Sequence, residues 1–158
     1  MANTQSMCTS FMGELLTATH NFGTAPTRAS SAADTFRGAL YLASATINAS
    51  TTVYSSTGEV TGTGYSAGGV VVTNGTAPTA TNSSSTAGVA YWTPSASLTY
   101  TSVTLTTAFD AVLIYNASQS NKAVSVHTFG SQTITAGTFT LTMPSNTTTT
   151  ALLRLATT

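Results

Sequence analysis

The chain has 158 residues, and only eight of its side chains are formally charged, with no net charge at pH 7. That is 5 % of the residues, against about 25 % in typical soluble domains. The sequence therefore lacks the basic patch that nucleic-acid binding requires and the positive charge that draws proteins to anionic membranes. We predict one domain with one core, and neither nucleic acid nor membrane as a partner.

Serine and threonine hydroxyl groups give the surface the polar character that charged side chains give it in most soluble proteins. The sequence contains 36 threonines and 20 serines. A hydroxyl that loses water finds a new hydrogen-bond partner readily, whereas an ion resists burial. Such a surface is suited to permanent packing against neighbouring proteins.

The N-terminus shows no signal for export. It has no basic region followed by an apolar core, and no apolar run approaches the ~18 residues of a membrane helix. We expect a protein made in soluble form in a cytoplasm. Cys8 has no partner cysteine, so we predict a small buried residue and neither a disulfide nor a metal site.

Residues 1–33 are predicted to form a helix and an extended arm that precede a β domain of residues 34–158. The helix is predicted from Ser6 to Thr19, because apolar residues recur at intervals of three and four. Its apolar stripe either closes one end of the β domain or docks on another subunit. The candidate interface residues are Met7, Phe11, Met12, Leu15, Leu16 and Phe22.

The rest of the chain reads as short strands separated by turn signals. The stretch from Ala108 to Met143 is predicted to hold three successive strands, and Ala111–Tyr115, apolar on both parities, is predicted to be a central strand. The other predicted strands are Phe36–Leu42, Val70–Thr73, Val89–Trp92, Leu98–Leu105 and Ala151–Leu155, with surface loops at 44–56 and 74–88. This pattern predicts an all-β antiparallel sandwich, jelly-roll or Ig-like.

No catalytic, cofactor-binding or metal-binding residue is predicted. The glycine-dense segment Glu59–Gly69 is not a phosphate loop, because the strand Val70–Thr73 follows it where a helix would be needed. A hydrolytic triad would have to combine Asp110 and His127 with one of the serines, and no GxSxG motif supports it. We predict His20 as a helix C-terminal cap. The isolated charges of the strands, such as Glu59 and Lys122, are predicted to form structural ion pairs.

Four blocks of sequence resemble a group of small virion proteins of tailed bacteriophages. They are CTSFMGELLTATHNF, DTFRGALYLASATINASTTVYSSTGEVTGTGYSAGG, AVLIYNASQSNKAVSVHTFG and TAGTFTLTMP. The one departure that we note is Val112, where the family pattern has Leu. The resemblance covers nearly the whole chain.

The resemblance implies a non-enzymatic structural role, as a jelly-roll capsid cement or decoration protein on the outside of the shell. The implied partners are the major capsid protein and copies of the same chain, without cofactors. Two other functions stay open from the residues. One is a tail, collar or fibre component, including a host-binding module, and the other is a hydrolase that uses His127 and Asp110.

Overall fold

The all-β prediction is confirmed by the computed structural model, which describes residues 3–8, 11, 15, 19–20, 22, 33–81 and 88–156. Two antiparallel sheets form, one with the strand order β1-β7-β6-β2-β3 and one with the order β4-β5-β8. The strands are β1 (Ser6–Met7), β2 (Phe36–Leu42), β3 (Val70–Val71), β4 (Thr79–Ala80), β5 (Val89–Trp92), β6 (Leu98–Asn116), β7 (Lys122–Leu141) and β8 (Leu153–Ala156).

The second half of β6 is the centre of the large sheet, as predicted. It pairs with β7 on one side and with β2 on the other. Each residue from Ala111 to Tyr115 is at most 3 % exposed, so both faces of the strand are covered. Burying an aliphatic side chain of this kind stabilises the fold by about 1.5–3 kcal/mol.

The prediction of three strands between Ala108 and Met143 was wrong. The stretch belongs to two long strands, and the predicted strand Leu98–Leu105 is the first part of β6. Residues of turn-forming or polar type, Thr106–Thr107 and Gly130, lie where the pairing of β6 with β7 becomes irregular. A bulge absorbs an extra residue without ending a strand, so turn-like residues there did not mark an end.

A five-residue connection, 117–121, joins the two long strands and contains two successive turns. In the first, Gln119 N donates to the carbonyl oxygen of Asn116 at 3.3 Å. In the second, Lys122 N donates to the carbonyl oxygen of Gln119 at 3.2 Å, and the two central residues, Ser120 and Asn121, have φ values of 54° and 57°. Positive φ at both positions is the requirement of a type I′ turn, whose twist matches that of the flanking strands. The register beside this turn, where Asn116 pairs with Lys122, shifts by one residue at the bulge between Ile114 and Tyr115, so the turn and the bulge together set the register of the β6–β7 ribbon.

Four of the five irregularities of this ribbon form two compensating pairs, and the fifth, between Ile114 and Tyr115, leaves one extra residue on β7 beside the turn. Between the pairs Tyr100–Phe139 and Val103–Gly137, β6 contains one residue more than β7. Between Val103–Gly137 and Leu105–Ile134, β7 contains one residue more than β6. Between the pairs Leu105–Ile134 and Phe109–Gln132, β6 contains two residues more than β7. Between Phe109–Gln132 and Ala111–Thr128, β7 contains two residues more than β6. The register at the open end of the ribbon is therefore the same as that in the centre of the sheet.

The beginning of the chain differs from the predicted helix. Ser6 and Met7 form β1 and pair with Val126 and Ser125 of β7, so the helix cannot begin at Ser6. Most of the remaining predicted helix and of the predicted arm lies outside the described residues. Those that are described, including Cys8 and Phe11, belong to the same core as the β strands.

The small sheet contains strands whose positions the sequence had indicated. The predicted strand Val89–Trp92 is confirmed with the same bounds, and Trp92 is buried. The last strand begins at Leu153 rather than at Ala151, because Ala151 N bonds to Thr147 O in the preceding turn. The predicted strand Val70–Thr73 is shortened to β3, and the predicted loop 74–88 includes β4.

We expect Ala136→Gly to stabilise the protein. Ala136 is exposed and has a φ of 45°, a left-handed conformation that costs a residue with a Cβ about 1–2 kcal/mol. Glycine removes that strain but adds about 0.5–1 kcal/mol of backbone entropy, so the net gain in unfolding free energy is up to about 1 kcal/mol. Urea denaturation measures it.

The matched control is Ala90→Gly, at an exposed strand position in β5 that is not among the positive-φ residues. There only the entropy cost applies, and stability should fall by about 0.5–1 kcal/mol. Equal destabilisation by the two changes would contradict the strain at Ala136.

Candidate functional site

The predicted interface residues divide between the core and the edge of an apolar pocket. Phe11 is only 2 % exposed, and the ring of Phe22 stacks on Phe36 at 4.4 Å and lies 4.7 Å from that of Trp92. Met7 and Leu15 are partly buried against the core. Met12 and Leu16 lie outside the described residues.

The apolar pocket lies between the N-terminal segment, by which we mean the described residues among 3–22, and the small sheet. Its volume is about 120 Å³. Besides Met7, Phe11, Leu15 and Phe22, it is lined by Pro78, Ala90, Tyr91, Trp92, Leu153 and Leu155. It offers shape and apolar surface but no group for chemistry.

A buried polar network holds the N-terminal segment to the large sheet. The Nδ2 atom of Asn116 lies 2.8 Å from Asp34 Oδ2 and 3.0 Å from His20 Nδ1. Gln119 adds a hydrogen bond to the other oxygen of Asp34 at 3.1 Å. His20 is therefore a buried partner of Asn116, and its predicted role as a helix cap stays a prediction, because most of the predicted helix lies outside the described residues. The only sequence signal was that a polar residue, Asn116, ends the apolar run of β6.

A second network surrounds Glu59, which is 5 % exposed. Its Oε1 atom accepts hydrogen bonds from Tyr65 Oη and Gly68 N, both at 2.7 Å. Its Oε2 atom accepts one from Tyr54 Oη at 2.6 Å. The ion pair predicted for Glu59 was wrong within the described chain, because neutral donors satisfy this carboxylate.

Five of the six tyrosines gather around this carboxylate. Burial raises the pKa of Tyr41 to about 12. Burial, and then the hydrogen bond to Glu59, raise the pKa of Tyr54 and of Tyr65 well above the usual value near 10. Tyr100 and Tyr115 are shifted in the same direction, with burial again the main cause. These phenols stay neutral near pH 7 and act as hydrogen-bond donors.

The glycine-dense segment owes its composition to close packing against β2 and β6. Gly64, Gly68 and Gly69 all have positive φ. A Cβ atom on Gly69 would collide with the carbonyl oxygen of Gly38 in β2, and one on Gly64 with that of Ser102 in β6. Only glycine allows both the left-handed backbone and this approach.

Arg37 lies under the end of this segment. Its Nε atom donates to Gly68 O at 3.1 Å, and its Nη2 atom donates to Gly69 O. Beside it is a polar pocket of about 220 Å³. The pocket is lined by Arg37, Gly64, Tyr65, Ser66, Gly69, Val70, Thr99, Tyr100 and Thr101.

The candidate triad residues are only partly brought together. Ser125 Oγ lies 2.8 Å from His127 Nε2, but Ser125 is 1 % exposed beneath β1, which pairs with it. Asp110 accepts a hydrogen bond from Asn3 Nδ2 at 2.6 Å. Among the described residues no hydrogen bond joins Asp110 to His127, so the Ser–His pair has no carboxylate to orient it.

Comparison with protein-family models, with curated proteins and with solved structures finds no match. Within the described ranges, no helix has the length and apolar character to cross a bilayer. The same residues contain no group of three His, Cys, Asp or Glu side chains that could hold a metal ion.

We expect Tyr65→Phe to destabilise the protein by about 2–3 kcal/mol. The change removes a donor from the buried Glu59 carboxylate and an acceptor from Leu40 N–H, which bonds to Tyr65 Oη at 3.0 Å. The control is Tyr91→Phe, whose hydroxyl has no hydrogen bond within the described chain, and which should cost less than about 0.5 kcal/mol. Equal effects in urea denaturation would show that the network does not stabilise the fold.

His127 should make the fold sensitive to mild acid. Burial lowers its pKa to about 4, whereas an unfolded histidine titrates near 6.5. Between these values the unfolded chain binds a proton that the folded chain does not, so stability falls as pH decreases from about 7 to 4, by up to about 3 kcal/mol. Below pH 4 this group causes no further loss.

His127→Gln isolates this contribution, because glutamine keeps a partner for Ser125 but does not titrate. The variant should lose less unfolding free energy than the unaltered protein between pH 7 and 4, measured by urea denaturation at each pH. His20 and the carboxylates are common to both proteins and cancel in the comparison. Parallel pH profiles would contradict the shifted pKa.

Proposed function

We propose that this chain is a non-enzymatic structural protein of a tailed-bacteriophage virion, a capsid cement or decoration protein on the exterior of the head shell. Its partners would be the major capsid protein and further copies of itself. The observation that carries the proposal is the placement of charge. The described residues include six charged side chains, and only that of Arg154 is exposed.

The other five charges are turned inward or half-covered. Asp34 and Glu59 are buried, and Arg37, Asp110 and Lys122 are partly buried. The exterior that the described residues form is therefore mainly hydroxyl, amide and small apolar groups. Removing water from such a surface costs less free energy than removing it from ions, and this favours lasting contact with neighbouring subunits.

The outer edge of β7 supports the same proposal. No described strand pairs with this edge between Phe129 and Leu141, since β1 reaches only Val126. The segment contains neither a charged residue nor a proline, the devices by which free edges usually avoid pairing. Its bulges are the one protection it has, so a neighbour in the shell is a suitable cover for the edge.

The proposal has two finer structural features. The two sheets are proposed to be related as in a jelly-roll sandwich. A short amphipathic helix is proposed to follow β1, because the spacing of Phe11 and Leu15 suits one apolar face. The apolar pocket beside these residues is a candidate anchoring point on the shell.

Copy number tests the proposal directly. A cement protein follows the symmetry of the shell and is present in roughly hundreds of copies per particle. A tail, collar or fibre component is present in roughly a few to a few dozen copies. Quantitative mass spectrometry of purified virions, scaled to the major capsid protein, gives the number. A low number would assign the chain to the tail, and its absence from the particle would refute a virion role.

A lysine pair, Thr133→Lys with Thr135→Lys, tests the role of the β7 edge. Both threonines are exposed, and charges on an edge strand oppose strand addition. We expect the variant to fold normally but to bind shells at least tenfold more weakly in a co-sedimentation assay. Thr57→Lys, in an exposed loop, is the control and should bind normally; unchanged binding of the edge variant would exclude this edge as the contact.

A further inference from the structure

Arg37 is a partly buried cation whose charge is not neutralised by an ion pair among the described residues. Its two hydrogen bonds go to the carbonyl groups of Gly68 and Gly69, whereas a guanidinium carries five N–H donors. The acid closest to it in this network is Glu59, whose oxygens are already occupied by three donors. Gly68 lies between the two groups, since its N–H bonds to Glu59 and its carbonyl bonds to Arg37.

A purely structural role does not require this charge. A neutral amide could donate to a glycine carbonyl, and a half-buried guanidinium carries a desolvation cost that an amide does not. The charge is therefore unexplained by the packing of the glycine segment. It is, however, part of the wall of the 220 Å³ polar pocket.

The two tyrosines at this pocket are fixed in place, and Tyr100 is only 3 % exposed, so the half-buried Tyr65 supplies the aromatic surface that a ligand meets. The rings of Tyr65 and Tyr100 are 6.0 Å apart with an interplanar angle of 19°. Tyr65 Oη is held by Glu59 and Leu40, and Tyr100 Oη donates to Gly38 O at 2.8 Å. Because neither ring has to be ordered when a ligand binds, the pocket is preorganised.

The rim of the pocket is polar and open. Ser66, Thr99 and Thr101 are exposed and bring hydroxyl groups to it, and Gly64 and Gly69 contribute backbone without side chains. The volume is below the range of about 300–1,000 Å³ typical of drug-sized ligands. A single six-membered ring with polar substituents suits this space better than an extended chain does.

We infer that this pocket binds one sugar-acid unit, with its carboxylate at Arg37, its ring beside Tyr65 and its hydroxyl groups at the threonine and serine rim. Guanidinium groups bind carboxylates with planar, charge-assisted hydrogen bonds. Aromatic faces and short hydroxyl side chains suit the apolar and polar sides of a sugar ring. The inference is independent of the proposed virion role, because it uses only residues of this pocket.

The test is titration of the folded chain with glucuronate, followed by isothermal calorimetry or by NMR shifts of the pocket residues. We expect weak binding, with a Kd of about 1 mM. Glucose, which has the ring without the carboxylate, should bind about tenfold more weakly, and so should acetate, which has the carboxylate without the ring. Equal affinity for glucose would refute the role of Arg37, and equal affinity for acetate would refute recognition of the sugar.

Two variants locate the site. Arg37→Gln removes the charge and should weaken glucuronate binding at least tenfold without changing glucose binding. Because that change could also loosen the glycine segment, Thr99→Trp provides a second route, filling the pocket from an exposed position on its rim.

The matched control is Thr107→Trp, at an exposed position of β6 outside the pocket lining. It should bind glucuronate as the unaltered chain does, whereas Thr99→Trp should not bind it. Retained binding by Thr99→Trp would place the ligand elsewhere and overturn the assignment.

Discussion

The antiparallel pairing of β6 with β7 is the constraint on which the rest of the structure depends. These two strands supply the centre of the large sheet. β2 pairs with β6 and β1 with β7, and β3 pairs in turn with β2. The apolar run of β6 needs cover on both faces, and this need draws in the glycine segment, the aromatic residues of the N-terminal segment and the small sheet. The connection 117–121, with positive φ at Ser120 and Asn121, and the bulge between Ile114 and Tyr115 together fix the register from which these contacts follow.

Local pattern was enough to predict some elements and not others. The strands at Phe36–Leu42 and Val89–Trp92 have the predicted bounds, because each is a short run of strand-forming residues that ends at a local turn signal. The unbroken length of β6 and β7 was missed, because bulges are decided by the partner strand and not by neighbours in sequence. The first residues of the predicted helix pair instead with β7, a contact between Ser6 and Val126 that no local pattern encodes.

The candidate sites were even harder to predict from local sequence pattern than the strands were. Arg37, Glu59 and Tyr100 are far apart in sequence, and each is unremarkable in its own surroundings. They meet because the glycine segment folds back across β2 and β6, where positive φ and the absence of Cβ atoms let its backbone approach. The density of glycines was the only signal in the sequence. It indicated that the backbone packs closely against another part of the chain, but it did not identify β2 and β6 as that part. The clustering of five tyrosines around one acid followed from that approach and could not be read in advance.

The compensating bulges of the ribbon also limit how this sequence can change in length during evolution. Outside the bulges, a deletion of one residue within one strand would turn every following side chain to the opposite face, exchanging threonines for core residues over the rest of the ribbon. A deletion matched by another on the facing strand would leave the faces unchanged. Related chains should therefore gain or lose residues here in coupled events, and an alignment that shows gaps in β6 should show them in β7 as well.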